Sequence, residues 1–221
     1  MADDVGLTWL AAQCDDLEDL PPAELDCLAR HGPVEAMVRI TERYVGELDR
    51  AAASQLGRDV RRLLDAPLPD ATLRTVWLGA TDNVFDPARD GVSSRAWLLR
   101  IEEAWSSAER HRDADFVPPP PDAVTDEGLR AVVVLAIHSA AGALTDATEN
   151  RTYPVPLHGL VPALEQVVRS SCADLGFRLF LRALKASFVA VDETRHVSLV
   201  ALAERLGRPR ELVDPGLNLG G

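Results

Sequence analysis

Residues 34–66 decide the fold class and read VEAMVRITERYVGELDRAAASQLGRDVRRLLDA, without a single proline. Apolar side chains recur in this stretch every three or four positions, and arginine and acidic side chains fill the positions between them. This is the period of an amphipathic α-helix, which buries one stripe and exposes the rest. The stretch is also far longer than an ordinary strand. We therefore predict one long helix over 34–66, bent at Gly57.

Prolines divide the rest of the chain into shorter runs of the same kind. Further helices are predicted over residues 22–30, 71–80, 94–113, 126–149, 162–173 and 177–206. The predicted N-caps of three of them are Asp70, either Ser93 or Ser94, and Thr125, because a short polar side chain can accept a hydrogen bond from a free amide. Gly207 followed by Pro209 predicts a helix stop. These elements indicate an all-α fold, a single helical bundle of about six to eight helices.

A proline-rich connector occupies residues 117–124, where four prolines stand in a row at 118–121. Such a run is stiff and extended, and it can separate two halves of a chain. Neither half carries an evident complete core of its own. We therefore expect one all-α domain over residues 1–221, with this connector inside it.

The charge of the chain limits which partners it attracts. There are 35 acidic residues against 23 lysines and arginines, so the formal net charge is −12 at pH 7. Proteins bind nucleic-acid phosphates and anionic lipids by neutralising them with Lys and Arg, so this balance argues against both. We expect no nucleic acid and no membrane as a partner. A partner chosen by charge should be a basic protein.

Residue usage indicates a bacterial protein of the cytoplasm. Lys185 is the only lysine, and Ala, Leu, Val and Asp are abundant, as in proteins encoded by high-GC bacterial genomes. The first residues, MADDVGLTWLAAQ, carry acids where a secretion signal would carry positive charge. Cys14, Cys27 and Cys172 are odd in number and widely spaced, so they do not suggest a disulfide framework. A cytoplasmic location is therefore expected.

The most apolar window is LRAVVVLAIHSAAGALT at residues 129–145. It is shorter than a bilayer-spanning helix and contains Arg130 and His138. Three valines at 132–134 have the composition of a strand, but they lie inside an alanine-rich helical run. We expect a buried core helix here, with His138 as a hydrogen-bonded histidine of the core.

Cys27 and His31 are four residues apart, and Cys14 lies upstream of them. These are three side chains that could bind zinc, without an evident fourth ligand. A buried cysteine, and a histidine next to the carbonyls at a helix end, explain the same residues more simply. We favour this second interpretation.

The sharpest chemical pattern is VDETRHVSL at residues 191–199, where Glu193 and His196 form Glu-x-x-His. Side chains three residues apart share one face of a helix, so both can reach one metal ion. The string Asp-Glu-x-Arg-His resembles the last metal-binding helix of ferritin-like di-iron proteins. That family pattern implies a second Glu-x-x-His, which this sequence lacks. The carboxylates that could complete a site are Glu42, Glu47, Glu103, Glu149 and Glu165.

Two functional hypotheses follow from these observations. The first is an acidic all-α protein-interaction module of bacterial type, an immunity-like inhibitor or adaptor that binds a basic partner protein. It uses no cofactor, and no catalytic residue is assigned. The alternative is a ferritin-like helical-bundle metalloenzyme that binds iron or zinc through Glu193 and His196. Patterns for nucleotide binding or a serine nucleophile elbow do not occur in the sequence.

Overall fold

The fold is built almost entirely from α-helices, so the predicted all-α helical bundle is confirmed. The computed structural model describes residues 4–15, 21–47, 50–119, 127–152 and 155–220. Its helices are α1 Leu7–Ala12, α2 Pro22–His31, α3 Pro33–Glu47, α4 Arg50–Asp65, α5 Asp70–Ala80, α6 Ser94–Arg112, α7 Arg130–Glu149, α8 Leu160–Ser170, α9 Ala173–Ala186 and α10 Glu193–Arg205. Two short strands, β1 Ala190–Val191 and β2 Asn218–Leu219, pair in parallel, with Ala190 opposite Asn218.

Helix α9 forms the centre of the bundle, because every one of its residues except Asp174 is buried. Helices α5, α7 and α8 pack against it, and α1 contacts it as well. Phe177 and Phe180, from the predicted apolar stripe, lie in this core. The main buried cluster contains side chains from both sides of the connector at 117–124. Residues 120–126 lie outside the described part of the chain.

Helix α6 organises the N-terminal part of the bundle, since α3 and α4 both pack against it. Trp97, Ile101 and Trp105 form its buried face, as their spacing predicts. Helix α4 runs antiparallel to α6. At one end Arg50 pairs with Asp113, with 3.2 Å between Nη2 and Oδ2.

The structure has two helices, α3 and α4, where one long helix over 34–66 was predicted. Residues 48–49, between them, lie outside the described residues. The predicted helix over 177–206 is likewise divided into α9 and α10, and α1 was not predicted. The described residues therefore contain ten α-helices instead of about six to eight.

Two of the predicted helix ends are confirmed, one is wrong and one lies outside the described residues. Ser93 caps α6, because its Oγ accepts a hydrogen bond of 3.2 Å from the Ala96 amide. Gly207 follows α10 with a φ of +70°, the left-handed conformation expected at a helix stop. Asp70 does not cap α5; it is the first residue of that helix, and its carboxylate bonds the start of α6 instead. Thr125 is not among the described residues.

The predicted helix over 177–206 is wrong because the chain leaves the helical path at Phe188. The amides of Phe188 and Val189 donate to the carbonyls of Lys185 and Leu184, at 3.1 and 3.0 Å. This pair of bonds is the Schellman pattern that ends a helix, and it requires a left-handed residue that is usually glycine. Phe188 holds that position with a φ of +51°.

Replacing Phe188 with glycine should stabilise the protein by about 1 kcal/mol and raise Tm by about 2 to 4 °C. The left-handed backbone is strained for phenylalanine and unstrained for glycine. Little packing is lost, since the Phe188 side chain is 77% exposed. Thermal unfolding by calorimetry measures the change. The control is Phe188→Ala, which removes the ring but keeps the strain. Equal stability of the two variants would contradict this account.

Candidate functional site

Helix α7 contains the most apolar stretch of the chain, yet most of its surface is not buried. By length and composition, the segment 127–149 could span a membrane, and only 22% of its most apolar window is buried inside the bundle. One stripe faces the core, formed by Val133, Ile137, Ala140 and Leu144. The prediction of a buried core helix over 129–145 is therefore wrong, because α7 lies at the edge of the bundle.

Beside this stripe, α7 and α10 enclose a groove of about 440 Å³ that we call the α7–α10 groove. The residues that line it are Val132, Leu135, Ala136 and Ser139 from α7, and Arg195, Ser198, Leu199, Ala201, Leu202 and Arg205 from α10. Leu199 and Leu202 are buried at its floor, whereas the Leu135 side chain in its wall is 66% exposed. The groove thus offers solvent an apolar surface that the described residues do not cover.

The charge of the α7–α10 groove is opposite to that of the chain as a whole. Among the residues that the structure describes, the groove is lined by two arginines, Arg195 and Arg205, and by no acidic side chain. Arg195 Nη2 donates a hydrogen bond of 3.0 Å to the carbonyl of Ser139, which joins α10 to α7. Arg205 is exposed and makes no hydrogen bond or ion pair with another described residue. In a chain with a net charge of −12, this is a local region of positive charge.

A second cleft, of about 490 Å³, lies between α5 and the segment before α8. The side chains of Arg74, Asp86, Asn83 and His158 in this cleft are already paired, whereas its Arg89 is exposed. Arg74 makes a bidentate ion pair with Asp86, at 3.0 and 2.6 Å, and its hydrogen bond holds the pKa of Asp86 below the usual value. His158 Nδ1 lies 3.1 Å from Glu149, and the amide of Asn83 donates to Val155. Because most of the polar groups of this cleft satisfy one another, we take the α7–α10 groove as the candidate binding site.

The structure does not bring Glu193 and His196 together with further metal ligands. Glu193 is exposed at the first residue of α10, and His196 Nε2 lies 2.7 Å from Asp214 Oδ1. Hydrogen bonds from His196 and from Arg210 lower the pKa of Asp214. Among the described residues, no group of three or more His, Cys, Asp or Glu side chains could hold a metal ion.

The carboxylates that could have completed such a site are engaged elsewhere or exposed. Glu149 pairs with His158, Glu165 pairs with His138 and Arg169, and Glu47 bonds Arg43. None of these five carboxylates therefore joins Glu193 and His196 as a ligand in the ferritin-like interpretation.

His138 is hydrogen-bonded, as predicted, but it does not belong to the core. Its side chain is 52% exposed and contacts the Glu165 carboxylate of α8 across the surface of the bundle. The prediction failed because α7 buries only its opposite stripe. His138 and Glu165 therefore connect two helices at the surface.

The three cysteines are buried, and none of them forms a disulfide bond with another described residue. Burial raises the pKa of the Cys14 thiol to about 12, so this thiol stays protonated at neutral pH. A protonated thiol is neither a zinc ligand nor a nucleophile. Cys27 is buried and His31 is exposed at the end of α2, as the simpler interpretation expected.

The sequence analysis missed a network of buried charges along α9. Both oxygens of Asp59 accept hydrogen bonds from Arg178, at 2.6 and 2.7 Å, and both side chains are fully buried. Asp59 also accepts the Leu7 amide, and Arg178 donates to the Val5 carbonyl, which attaches the N-terminal segment to the core. The basic residues on the otherwise apolar helix α9 are the feature of the sequence that could have revealed this network.

Protonation of a neighbouring carboxylate, Asp174, should make the protein less stable in acid. Burial raises the pKa of Asp174, but the charges of Arg178 and Arg208 outweigh burial and lower it from 3.8 to about 2. The ionised carboxylate therefore stabilises the fold above about pH 4, and this contribution of about 2 kcal/mol is lost as the pH falls toward 2. Unfolding free energies of the wild type and Asp174→Asn should converge over that range. Parallel pH profiles would contradict the assignment.

The structure defines an all-α bundle with an apolar groove that the described residues leave open and whose rim is basic. No family model, curated protein or solved structure matches this chain.

Proposed function

We propose that this protein is a non-enzymatic protein-interaction module, an adaptor or immunity-type inhibitor, that binds its partner through the α7–α10 groove. The observation that supports this is the apolar wall around Leu135, which remains exposed beside the buried Leu199 and Leu202. Leaving such a surface in water costs stability and favours aggregation, so a partner that covers it provides a reason for its presence. Grooves between helices are a recurrent type of docking site.

The charge of the whole chain supports a partner of opposite sign. With a net charge of −12, the protein repels nucleic acids and anionic lipid surfaces and attracts basic proteins. Such attraction acts over about 10 Å at moderate ionic strength, so it increases the rate of encounter more than it fixes the contact. In this proposal the acidic surface attracts the partner and the apolar groove holds it.

Changing Leu135 to glutamate should abolish partner binding while the fold survives. Leu135 is 66% exposed on α7, so a charge there disturbs the groove and not the core. The control is Leu99→Glu, an equally polar change at a leucine of α6 that is 51% exposed and lies outside the groove. Tagged wild-type and variant proteins are expressed in the source cells and the captured proteins are identified by mass spectrometry.

The expected result is a protein retained by the wild type and by Leu99→Glu, and reduced about tenfold or more by Leu135→Glu. Its capture should also weaken as the salt concentration rises, because exposed charges are screened. A partner retained equally by all three proteins would show that the groove is not the binding surface. Circular dichroism checks that each variant keeps its helices.

A further inference from the structure

We infer that the occupant of the α7–α10 groove is an amphipathic helix of a partner protein, with an apolar stripe and an acidic side chain near each end. This inference deepens the proposed function and rests on it. It derives from three features of the groove: its helical walls, its apolar middle and the two arginines on α10.

The shape of the groove favours a helix. Its two walls are helices, and α10 has 13 residues, which corresponds to a length of about 20 Å. Val132, Leu135, Leu199 and Leu202 supply apolar contacts along this length. A third helix laid between two others can place residues spaced by three, four and seven positions against such walls. The two strands of the described residues pair with each other and do not line the groove.

The charges of the groove select acidic side chains on that helix. Arg195 and Arg205 are ten residues apart on α10, which separates them by about 15 Å along the helix axis. Arg205 is exposed, and the guanidinium of Arg195 uses one N–H donor for the Ser139 carbonyl. Both can therefore bind a carboxylate, which matches the planar fork of donors of an arginine. The matching acids lie ten or eleven residues apart on the partner helix.

A second copy of this chain is a poorer occupant of the groove. In a symmetric dimer the same surface faces itself, so four arginines would meet with no acidic groove residue to neutralise them. A membrane is also a poorer occupant, because the net charge of −12 opposes approach to anionic headgroups. A basic partner protein can carry one acidic helix, just as this acidic protein carries one basic groove.

A phage-displayed library of helical peptides tests the inference directly. Each peptide has a fixed apolar stripe, and the flanking positions are randomised among Glu, Lys, Gln and Ala. Selection is made against the full-length protein, and the enriched peptides are synthesised and titrated by fluorescence anisotropy. We expect enrichment of Glu at two flanking positions ten or eleven residues apart, and binding that Leu135→Glu abolishes but Leu99→Glu preserves.

Charge reversal provides the matched control. Arg205→Glu should weaken binding of the selected peptide about tenfold, and replacing the facing Glu of the peptide with Lys should restore it. Arg100→Glu, at an exposed arginine on α6 outside the groove, should leave binding unchanged. The same proteins are tested with zwitterionic and anionic phospholipid vesicles and by light scattering for self-association.

Three results would overturn the inference. The first is that the selection yields no peptide whose binding depends on the groove. The second is that the enriched peptides lack Glu at the two flanking positions. The third is that the protein binds vesicles or forms dimers and that Leu135→Glu abolishes this. Failure of the proposed function is distinguishable from these results. If capture of the cellular partner depends on Leu135 but the peptides lack paired Glu, the groove is the binding surface and only the inferred acidic helix is wrong. If that capture does not depend on Leu135, the groove itself is not the binding surface.

Discussion

Replacing Arg178 with methionine should destabilise the protein by about 3 to 5 kcal/mol, the largest effect that we expect from a single substitution. Arg178 and Asp59 are fully buried and joined by two hydrogen bonds. Removing the guanidinium leaves the Asp59 carboxylate as a buried charge without its main partner, which is more costly than losing the pair. The release of Val5, which Arg178 also binds, should loosen α1 as well.

Chemical denaturation followed by circular dichroism measures this loss, and hydrogen exchange reports the loosening of α1. The control is Arg30→Met, which breaks a surface ion pair of 2.6 Å with Asp26 whose side chains are 68% and 52% exposed. We expect the control to change stability by less than about 0.5 kcal/mol. Adding Asp59→Leu to Arg178→Met should recover part of the loss, because no unpaired charge then remains. An Arg178 variant as stable as the control would contradict this account.

Replacing Gly57 with alanine should destabilise the protein by about 2 to 3 kcal/mol, although alanine is the better helix former. Gly57 lies on α4 where the Trp105 ring of α6 packs against the backbone, and a Cβ atom there would overlap the ring. Trp105 is almost completely buried, in contact with Val45 and Ala53, so it cannot move aside cheaply.

Gly142 provides the matched control for this substitution. It lies within α7, and a Cβ atom added there meets no atom within 4 Å. Gly142→Ala should therefore stabilise the protein by about 0.5 to 1 kcal/mol, since only the helix preference changes. Opposite signs for the two Gly→Ala substitutions, measured by the same denaturation, are the expected result. A stabilising effect of Gly57→Ala would show that the contact between α4 and α6 is looser than described.

Local sequence signals predicted a helix end correctly where the chain has a residue whose own chemistry produces that end. Ser93 can accept an amide hydrogen bond and caps α6, and Gly207 can adopt the left-handed conformation and ends α10. Phe188 ends α9 in the same conformation without being glycine, so no residue preference marks that stop. Gly57 was predicted to bend a helix, but it serves as a contact surface for Trp105.

The candidate site was harder to predict, because it depends on which face of a helix remains uncovered. Residues 129–145 are apolar nearly all round, so periodicity could not show that only one stripe would be buried. Arg195 and Arg205 are ten residues apart, and only the placement of α10 beside α7 brings them to one groove. The sequence drew attention to Glu193 and His196 instead. The structure places Glu193 at an exposed helix start and His196 beside Asp214.

The buried ion pair was also hard to predict, because it depends on how distant helices pack more than on the local sequence. Asp59 and Arg178 are 119 residues apart in the chain, and each looks like an ordinary charged residue of an amphipathic helix. Their partners become evident only when α4 and α9 are both placed in the core. Long-range pairing of this kind leaves almost no trace in one sequence, because an isolated charge predicts exposure.

Photocrosslinking in living cells determines whether the α7–α10 groove is the surface that binds a partner. A photoreactive amino acid is placed at Ser198, an exposed residue of the groove wall, and separately at Arg100 on α6. We expect one crosslinked partner from position 198, lost when Leu135→Glu is added, and no such product from position 100. A partner that crosslinks from position 100 but not from position 198 would contradict this expectation.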